Sequence, residues 1–282
     1  MKFSLGLIVL FLLVSISLNG QNKPFVIGET VTLNSTELGE ERTLNIYLPD
    51  GYSKDSAATY PVIYLLDGSA NEDFLHTAGL VQFLVMIGRI PPTIVVGIAN
   101  VDRVRDFTTP LTGEQDALYH SIIKQKKDAF TTAGGSAKFI AFIEKELQPY
   151  IEKNYKLNGI KAIIGQSLGG LLATQILAEK PQLFNCYIIV SPSLWWNKQS
   201  LLTTISKPVA GHNYSNTKVC VLVGKEGKTM VGDAKALYKK LTKINGLSSA
   251  YMYLQFENHA TILHNALYKS LGVIQNPKQT TP

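Results

Sequence analysis

The segment KAIIGQSLGG, residues 161–170, decides the fold of this chain. Its first half contains a short apolar run at residues 162–164, too short for a helix and typical of a buried strand. Residues 168–180 carry apolar side chains at helical spacing, and Pro181 ends that pattern. Ser167 therefore lies on a turn between a predicted strand and a predicted helix.

Gly165, Ser167 and Gly169 fit the pattern G-x-S-x-G, which is typical of a nucleophile elbow. Such a sharp turn leaves little room for side chains beside the serine and exposes its hydroxyl, while the Leu168 N–H faces any bound oxyanion. The pattern alone is weak because the chain has 22 glycines among 282 residues. A glycine-rich turn with a capping serine is the alternative. The strand before and the helix after favour the nucleophile.

The first twenty residues predict an export signal. One lysine precedes an apolar run at residues 3–18, and polar sequence follows from Asn19. The run is short for a membrane span, so we expect a secretory signal peptide over residues 1–20 that is cleaved. The mature protein would then be periplasmic or secreted, without stable membrane insertion. A retained membrane anchor is the alternative.

The rest of the chain is long enough to bury one substantial core, and we expect one domain over residues 21–274 and a disordered tail over residues 275–282. The formal charge of +6 comes mostly from scattered lysines, which gives nucleic-acid binding little support. Cys186 and Cys220 are the only cysteines, which excludes a disulfide scaffold and a cysteine zinc site. Both fall in predicted strands, where we expect two buried free thiols, with a disulfide between neighbouring strands as the alternative.

Predicted strands and helices alternate along the chain. Residues 30–48 predict an antiparallel hairpin at the sheet edge. Further strands are predicted at residues 61–66, 93–98, 186–190, 218–224 and 250–257, and helices at residues 71–87, 136–155 with a bend near Pro149, 233–243 and 260–271. The alternation predicts an α/β fold whose mainly parallel central sheet has helices on both faces.

Two connections, residues 100–135 and 191–217, are longer than is usual in a compact domain. Both follow strand carboxyl ends, the edge of an open α/β sheet at which ligands bind. We therefore expect both connections to overhang Ser167 and to determine specificity.

A serine nucleophile needs a base, and the base needs an acid that holds its tautomer. Among the five histidines, only His259 comes immediately after a late predicted strand. Two carboxylates follow the strand at residues 218–224, Glu226 and Asp233. Glu226 is nearer the strand end, whereas Asp233 is expected to begin a helix, where capping explains it. We favour Glu226 and keep Asp233 as the alternative.

Five motifs together resemble the putative-esterase family of α/β hydrolases. They are YPVIYLLDG, RVRDFTTP, IIGQSLGGLLA, SPSLWW and ENHATI, in that order, and the resemblance spans about residues 30–271. The family includes siderophore trilactone esterases, feruloyl and acetyl-xylan esterases, and mycolyltransferases. The resemblance implies that Ser167 is the nucleophile, His259 the base, and the N–H groups of Ser69 and Leu168 the oxyanion hole. The acid is the least regular position in this family, and some members work as a serine–histidine dyad.

The resemblance implies a serine carboxylic ester hydrolase without metal or organic cofactor, acting on a small-molecule ester. The notable candidates for substrate contact are Arg103 and Arg105, which would attract an anion, and Trp195 and Trp196, which would stack on an aromatic ring. Ion pairing within the loop and simple packing are the alternatives for these residues. An exported, basic protein with these residues is expected to act on an anionic trilactone siderophore. Carbohydrate esters, acyl transfer and, least favoured, a catalytically silent binding protein are the other possibilities.

Overall fold

The structure is a computed structural model that describes residues 22–111 and 130–275, and within them eight strands form one sheet in the order β1-β2-β4-β3-β5-β6-β7-β8. The edge strands β1 and β2 are antiparallel to their neighbours, and all other pairs are parallel. The strands are β1 Glu29–Ser35, β2 Glu40–Tyr47, β3 Tyr60–Leu65, β4 Ile94–Ile98, β5 Leu157–Gln166, β6 Cys186–Val190, β7 Lys218–Gly224 and β8 Ser248–Leu254. The predicted α/β fold and its edge hairpin are confirmed.

Helices cover both faces of the sheet, as predicted. Two of them, α1 and α8, share one apolar cluster, and the larger cluster on the opposite face contains residues of α2 to α7. The helices are α1 Phe74–Met86, α2 Arg103–Phe107, α3 Ser136–Phe142, α4 Gln148–Asn154, α5 Leu168–Glu179, α6 Ser200–Thr204, α7 Gly227–Leu241 and α8 Ile262–Gln275. None of the helices in the described part of the chain is both long and apolar enough to cross a membrane.

The central strands are buried on both sides because helices cover both faces. All six residues of β3 are buried, and successive side chains alternate between the two clusters, with Ile63 in the smaller and Tyr64 in the larger. The continuous apolar run that predicted this strand therefore reflects two covered faces.

Two predictions about helices need correction or refinement. The helix predicted to begin at Asp233 begins at Gly227, so Asp233 lies inside α7 and is not its cap. Where a bend was expected near Pro149, a π-helical turn, Ile143–Leu147, joins α3 to α4 just before the proline. A π turn accommodates the proline because the backbone hydrogen bonds shift there.

The two cysteines lie on neighbouring strands, β6 and β7, and remain buried thiols as expected. Cys186 is paired in register with Lys218, and Cys220 with Ile188, so the two thiols are two residues out of register. Burial raises the pKa of each thiol to about 12. Burial therefore favours the protonated thiol, which is a poorer nucleophile than the thiolate, at neutral pH.

The predicted signal peptide at residues 1–20 lies outside the described residues, as do residues 276–282 of the predicted tail.

Candidate active site

Ser167 lies between the end of β5 and the start of α5, with φ 60° and ψ −117°. This conformation is rare for a residue with a side chain and costs of order 1–3 kcal/mol. Strand β6 and the loop after it hold the turn: the Ser167 N–H donates to the Val190 carbonyl at 3.0 Å, and the Ser193 N–H donates to the Ser167 carbonyl at 3.0 Å. The serine hydroxyl is thereby held at the carboxyl edge of the sheet.

The glycines around Ser167 are not equally constrained. A Cβ atom on Gly165 would lie 2.3 Å from the Gly169 carbonyl oxygen, a backbone contact that cannot relax. A Cβ atom on Gly169 would meet its nearest neighbour, a carboxylate oxygen of Asp67, at 3.4 Å. The close approach of β5 to α5 therefore requires glycine at position 165, whereas Gly169 has more space around it.

Glu226 and His259 form a hydrogen-bonded pair, with 2.5 Å between Glu226 Oε2 and His259 Nδ1. The other carboxylate oxygen, Oε1, accepts a hydrogen bond from the Ser191 hydroxyl and one from the Gly224 N–H at 3.0 Å. Burial by itself would raise the pKa of Glu226, but the hydrogen bonds from His259, Ser191 and Gly224 outweigh it and hold the pKa below its usual value. The carboxylate is therefore ionised at neutral pH and faces the imidazole.

The rest of the His259 environment leaves the ring accessible. Its side chain is 47% exposed, whereas that of Glu226 is 3% exposed. The Gln166 side-chain amide, next to Ser167 in sequence, donates to the His259 backbone carbonyl at 2.5 Å. This contact ties the loop that carries the histidine to the end of the strand that carries the serine.

Ser167 and His259 line one cleft with a volume of about 400 Å³. The other side chains that line it are Asp67, Glu72, Asp73, Arg103 and Gln166. A hydroxyl, an imidazole and a buried carboxylate bonded to that imidazole are the groups required for acyl transfer through a serine. Asp233 is bonded elsewhere: its Oδ1 accepts from the Gln199 amide at 2.7 Å.

A family model described as "Putative esterase" matches residues 35–261. The chain belongs to this family. It is similar to the ferri-bacillibactin esterase BesA of Bacillus subtilis, with 29% identity over 282 aligned positions that cover 92% of this chain and 93% of that protein. It is also 30% identical to an endo-1,4-beta-xylanase/feruloyl esterase of Xylanibacter ruminicola, over 58% of this chain but 21% of that protein.

A solved structure described as an IroE-like serine hydrolase from Shewanella oneidensis is similar throughout the fold. Its TM-score is 0.76 at 30% identity, and the match covers 88% of this chain and 80% of the other. The family resemblance and the α/β-hydrolase fold predicted from the sequence are confirmed. The chain is a carboxylic ester hydrolase.

The two residues expected to supply oxyanion N–H groups differ in their surroundings. Leu168 is the first residue of α5, whose first N–H groups have no partner within the helix. The Ser69 N–H instead donates to the Glu72 carboxylate at 3.4 Å, in the turn before α1. An ester oxygen that used both N–H groups would have to displace this carboxylate.

The two arginines of the esterase have different partners. Arg103 lines the cleft, where its guanidinium is paired with both oxygens of Asp67 at 2.6 and 2.9 Å. Burial alone would lower the pKa of Arg103, but the hydrogen bond to Asp67 raises it. Arg105 is absent from the cleft lining and donates to Glu40 and Asp106. The pair with Asp106 is the ion pairing within the loop that the sequence left as an alternative, whereas the pair with Glu40 connects the loop to β2.

The two tryptophans lie in the connection after β6. Trp196 is buried, with 1% exposure, and its indole N–H donates to the Thr109 carbonyl at 3.1 Å. Trp195 is half-buried, with its ring 6.0 Å from that of Trp196 and 6.5 Å from that of Phe130. Neither is among the residues that line the cleft with Ser167. Their contacts join the two long connections of the esterase.

Sequence reasoning singled out neither Ser191 nor Ser193, yet both contact the candidate catalytic groups. The Ser191 hydroxyl donates to Glu226, and the Ser193 hydroxyl oxygen lies 3.3 Å from that of Ser167. Both belong to the SPSLWW motif, which the resemblance included without assigning roles to its serines. Their position directly after β6, at the carboxyl edge of the sheet, is the signal that could have identified them.

Within residues 22–111 and 130–275, no group of three or more His, Cys, Asp or Glu side chains is arranged to hold a metal ion.

Proposed function

We propose that this esterase is a serine hydrolase in which Ser167 attacks the ester carbonyl and His259 takes the serine proton. Glu226 would hold the imidazole in the correct tautomer and stabilise the imidazolium that forms. The observation that carries the proposal is the 2.5 Å contact between the buried Glu226 and His259, whose ring lines one cleft with the strained Ser167. The tetrahedral oxyanion would bind the Leu168 N–H and, once the Glu72 carboxylate has moved away from it, the Ser69 N–H.

A trilactone siderophore is the substrate class we propose for this cleft. The support is the similarity to a ferri-bacillibactin esterase over almost the whole of both chains. The alternative, a feruloyl or acetyl ester of a carbohydrate, is favoured by the similarity to a feruloyl esterase, which covers a smaller share of both chains.

The charges around Ser167 do not favour the binding of an anionic group in the cleft. Three carboxylates, those of Asp67, Glu72 and Asp73, line the cleft with one guanidinium, and that guanidinium is already paired. An anionic group placed here would meet net negative charge. We therefore propose that the uncharged ester backbone of the substrate enters the cleft, and that any anionic iron-binding groups lie outside it.

A hydrolysis screen combined with active-site labelling tests both levels of the proposal. Hydrolysis by the purified protein would be measured separately for a trilactone siderophore with and without iron, for feruloyl and acetyl sugars, and for nitrophenyl esters. We expect the trilactone to have the highest kcat/KM and a fluorophosphonate to label Ser167. Preference for a feruloyl sugar would refute the siderophore assignment alone, whereas absence of labelling would refute the serine mechanism.

We also propose that the protein is exported, with residues 1–20 as a cleaved signal. The support is the sequence pattern of one lysine and a short apolar run. Cell fractionation followed by mass determination of the mature chain tests it. A protein found in the cytoplasm at its full length would refute the proposal.

A further inference from the structure

Two histidines outside the catalytic pair face each other between α1 and α8. The Nδ1 atoms of His76 and His264 are 3.4 Å apart, and the ring centroids are 5.5 Å apart. On the other side of the His76 ring, Nε2 lies 3.1 Å from Asp73 Oδ1. The proposed reaction uses neither histidine.

The separation of the two nitrogens matches one edge of a metal coordination tetrahedron. Zinc–nitrogen bonds of about 2.0–2.1 Å at a tetrahedral angle put two ligating nitrogens roughly 3.3–3.4 Å apart. As a hydrogen bond, in contrast, 3.4 Å is long, since N–H donors prefer about 2.9–3.0 Å. The two rings are thus already at the spacing that a shared metal ion requires.

Asp73 occupies the position of the outer-sphere carboxylate that usually accompanies a metal-bound histidine. In the tautomer that donates Nε2–H to Asp73, the Nδ1 atom of His76 carries a lone pair on the side of His264. Asp73 precedes α1 but its side chain makes no capping hydrogen bond to the helix. Its carboxylate is therefore directed to the histidine, although capping is the usual role of an aspartate there.

The site is also accessible and lies beside negative charge. His264 is exposed and His76 is half-buried, so an ion can enter from solvent. Asp73 also lines the catalytic cleft together with Asp67 and Glu72, which makes the surroundings favourable for a divalent cation.

We infer that His76 and His264 form a binding site for one divalent transition-metal ion, held through both Nδ1 atoms. The remaining coordination positions would be taken by water, because the described residues offer no third protein ligand there. Imidazole ligands favour Cu²⁺ over Zn²⁺ and do not suit Mg²⁺. Such an ion would join α1, which follows the cleft residue Asp73, to α8, which follows the loop of His259.

Calorimetric titration of the full chain with ZnCl₂ tests the inference. We expect one site in the wild type, and at least about tenfold weaker binding in both His76→Gln and His264→Gln. His212→Gln, in the connection between β6 and β7, is the matched control and should bind as the wild type does. CuCl₂ should bind more tightly than ZnCl₂, and MgCl₂ should give no comparable signal. Circular dichroism would verify that each variant is folded.

Three results would overturn the inference. They are no zinc binding by the wild type, unchanged binding in both His76→Gln and His264→Gln, and binding that persists in these variants but disappears in His259→Ala. The last result would put the ion at the catalytic pair. Because the readout is binding and not turnover, it is independent of whether the proposed esterase mechanism holds.

Discussion

Replacing Glu226 with glutamine tests the proposed catalytic arrangement most directly, because the shape of the side chain is kept while its hydrogen bonding changes. Glu226 Oε1 accepts from the Gly224 N–H, a donor that cannot rotate, so a glutamine carbonyl is expected to stay at that position. The amide NH₂ would then donate to His259 Nδ1 and force the ring proton onto the nitrogen that should accept from Ser167.

The size of the effect follows from the two orientations open to the glutamine. Reversing the amide would restore the tautomer but set NH₂ against the Gly224 N–H, at a cost of about 1–3 kcal/mol. The wrong tautomer lowers kcat by about 10⁴-fold in a serine protease triad. Because the reversed amide is reachable at that cost, the tautomer alone limits the loss to about 5–150-fold, and the weaker stabilisation of the imidazolium by a neutral amide adds to it. We therefore expect kcat for a nitrophenyl ester to fall by at least about tenfold and by at most about 10⁴-fold, or about 1.4–5.5 kcal/mol.

Steady-state kinetics and thermal unfolding should be measured together for Glu226→Gln and for a matched control. Asp233→Asn makes the same change in the other carboxylate considered from the sequence, and it should leave kcat within about twofold, because Asp233 contacts Gln199 and not His259. A loss below about fivefold in a folded Glu226→Gln protein would refute the role of this carboxylate and favour a dyad. A large loss of kcat in Asp233→Asn would instead assign the role of the acid beside His259 to Asp233.

Three further results are expected. Ser167→Ala should abolish fluorophosphonate labelling and lower kcat as much as His259→Ala does. The double variant should lose little more of kcat than either single variant, because the two groups act as a unit. An active Ser167→Ala protein would contradict the mechanism. Burial raises the pKa of Asp233 to about 6, and its Oδ2 is buried without a hydrogen-bond partner among the described residues, so the folded state favours the protonated form. Its stability contribution is complete below the unfolded pKa of about 3.9 and lost as the pH rises through about 6. In denaturant unfolding, the free energy of unfolding of Asp233→Asn should therefore exceed that of the wild type by up to about 3 kcal/mol at pH 8 and equal it near pH 3. A difference between the two proteins that does not change with pH would contradict this. Arg103→Gln should lower kcat/KM for a trilactone and for nitrophenyl acetate alike, because it removes the ion-pair partner of Asp67 at the cleft. A loss confined to the trilactone would instead indicate that Arg103 binds an anionic group of the substrate.

The sequence by itself determined the fold class and the position of the elbow. Apolar runs predicted the strands at β3, β4, β6 and β7, because burial of each strand on both faces constrains every side chain along it. Ser167 was found because a sharp strand-to-helix turn has strict local requirements, which the glycines satisfy within five residues.

Only the tertiary structure decided which of the two candidate carboxylates is bonded to His259. The partners Glu226 and His259 lie 33 residues apart and are joined by the pairing of β7 with β8, which no local pattern encodes. The same holds for Arg103 and Arg105: two residues apart, they face different carboxylates, one in the cleft and one against Glu40 at the sheet edge. Local backbone preferences fix strands, helices and turns, whereas the partner of a polar side chain depends on which distant segments the folded sheet brings beside it.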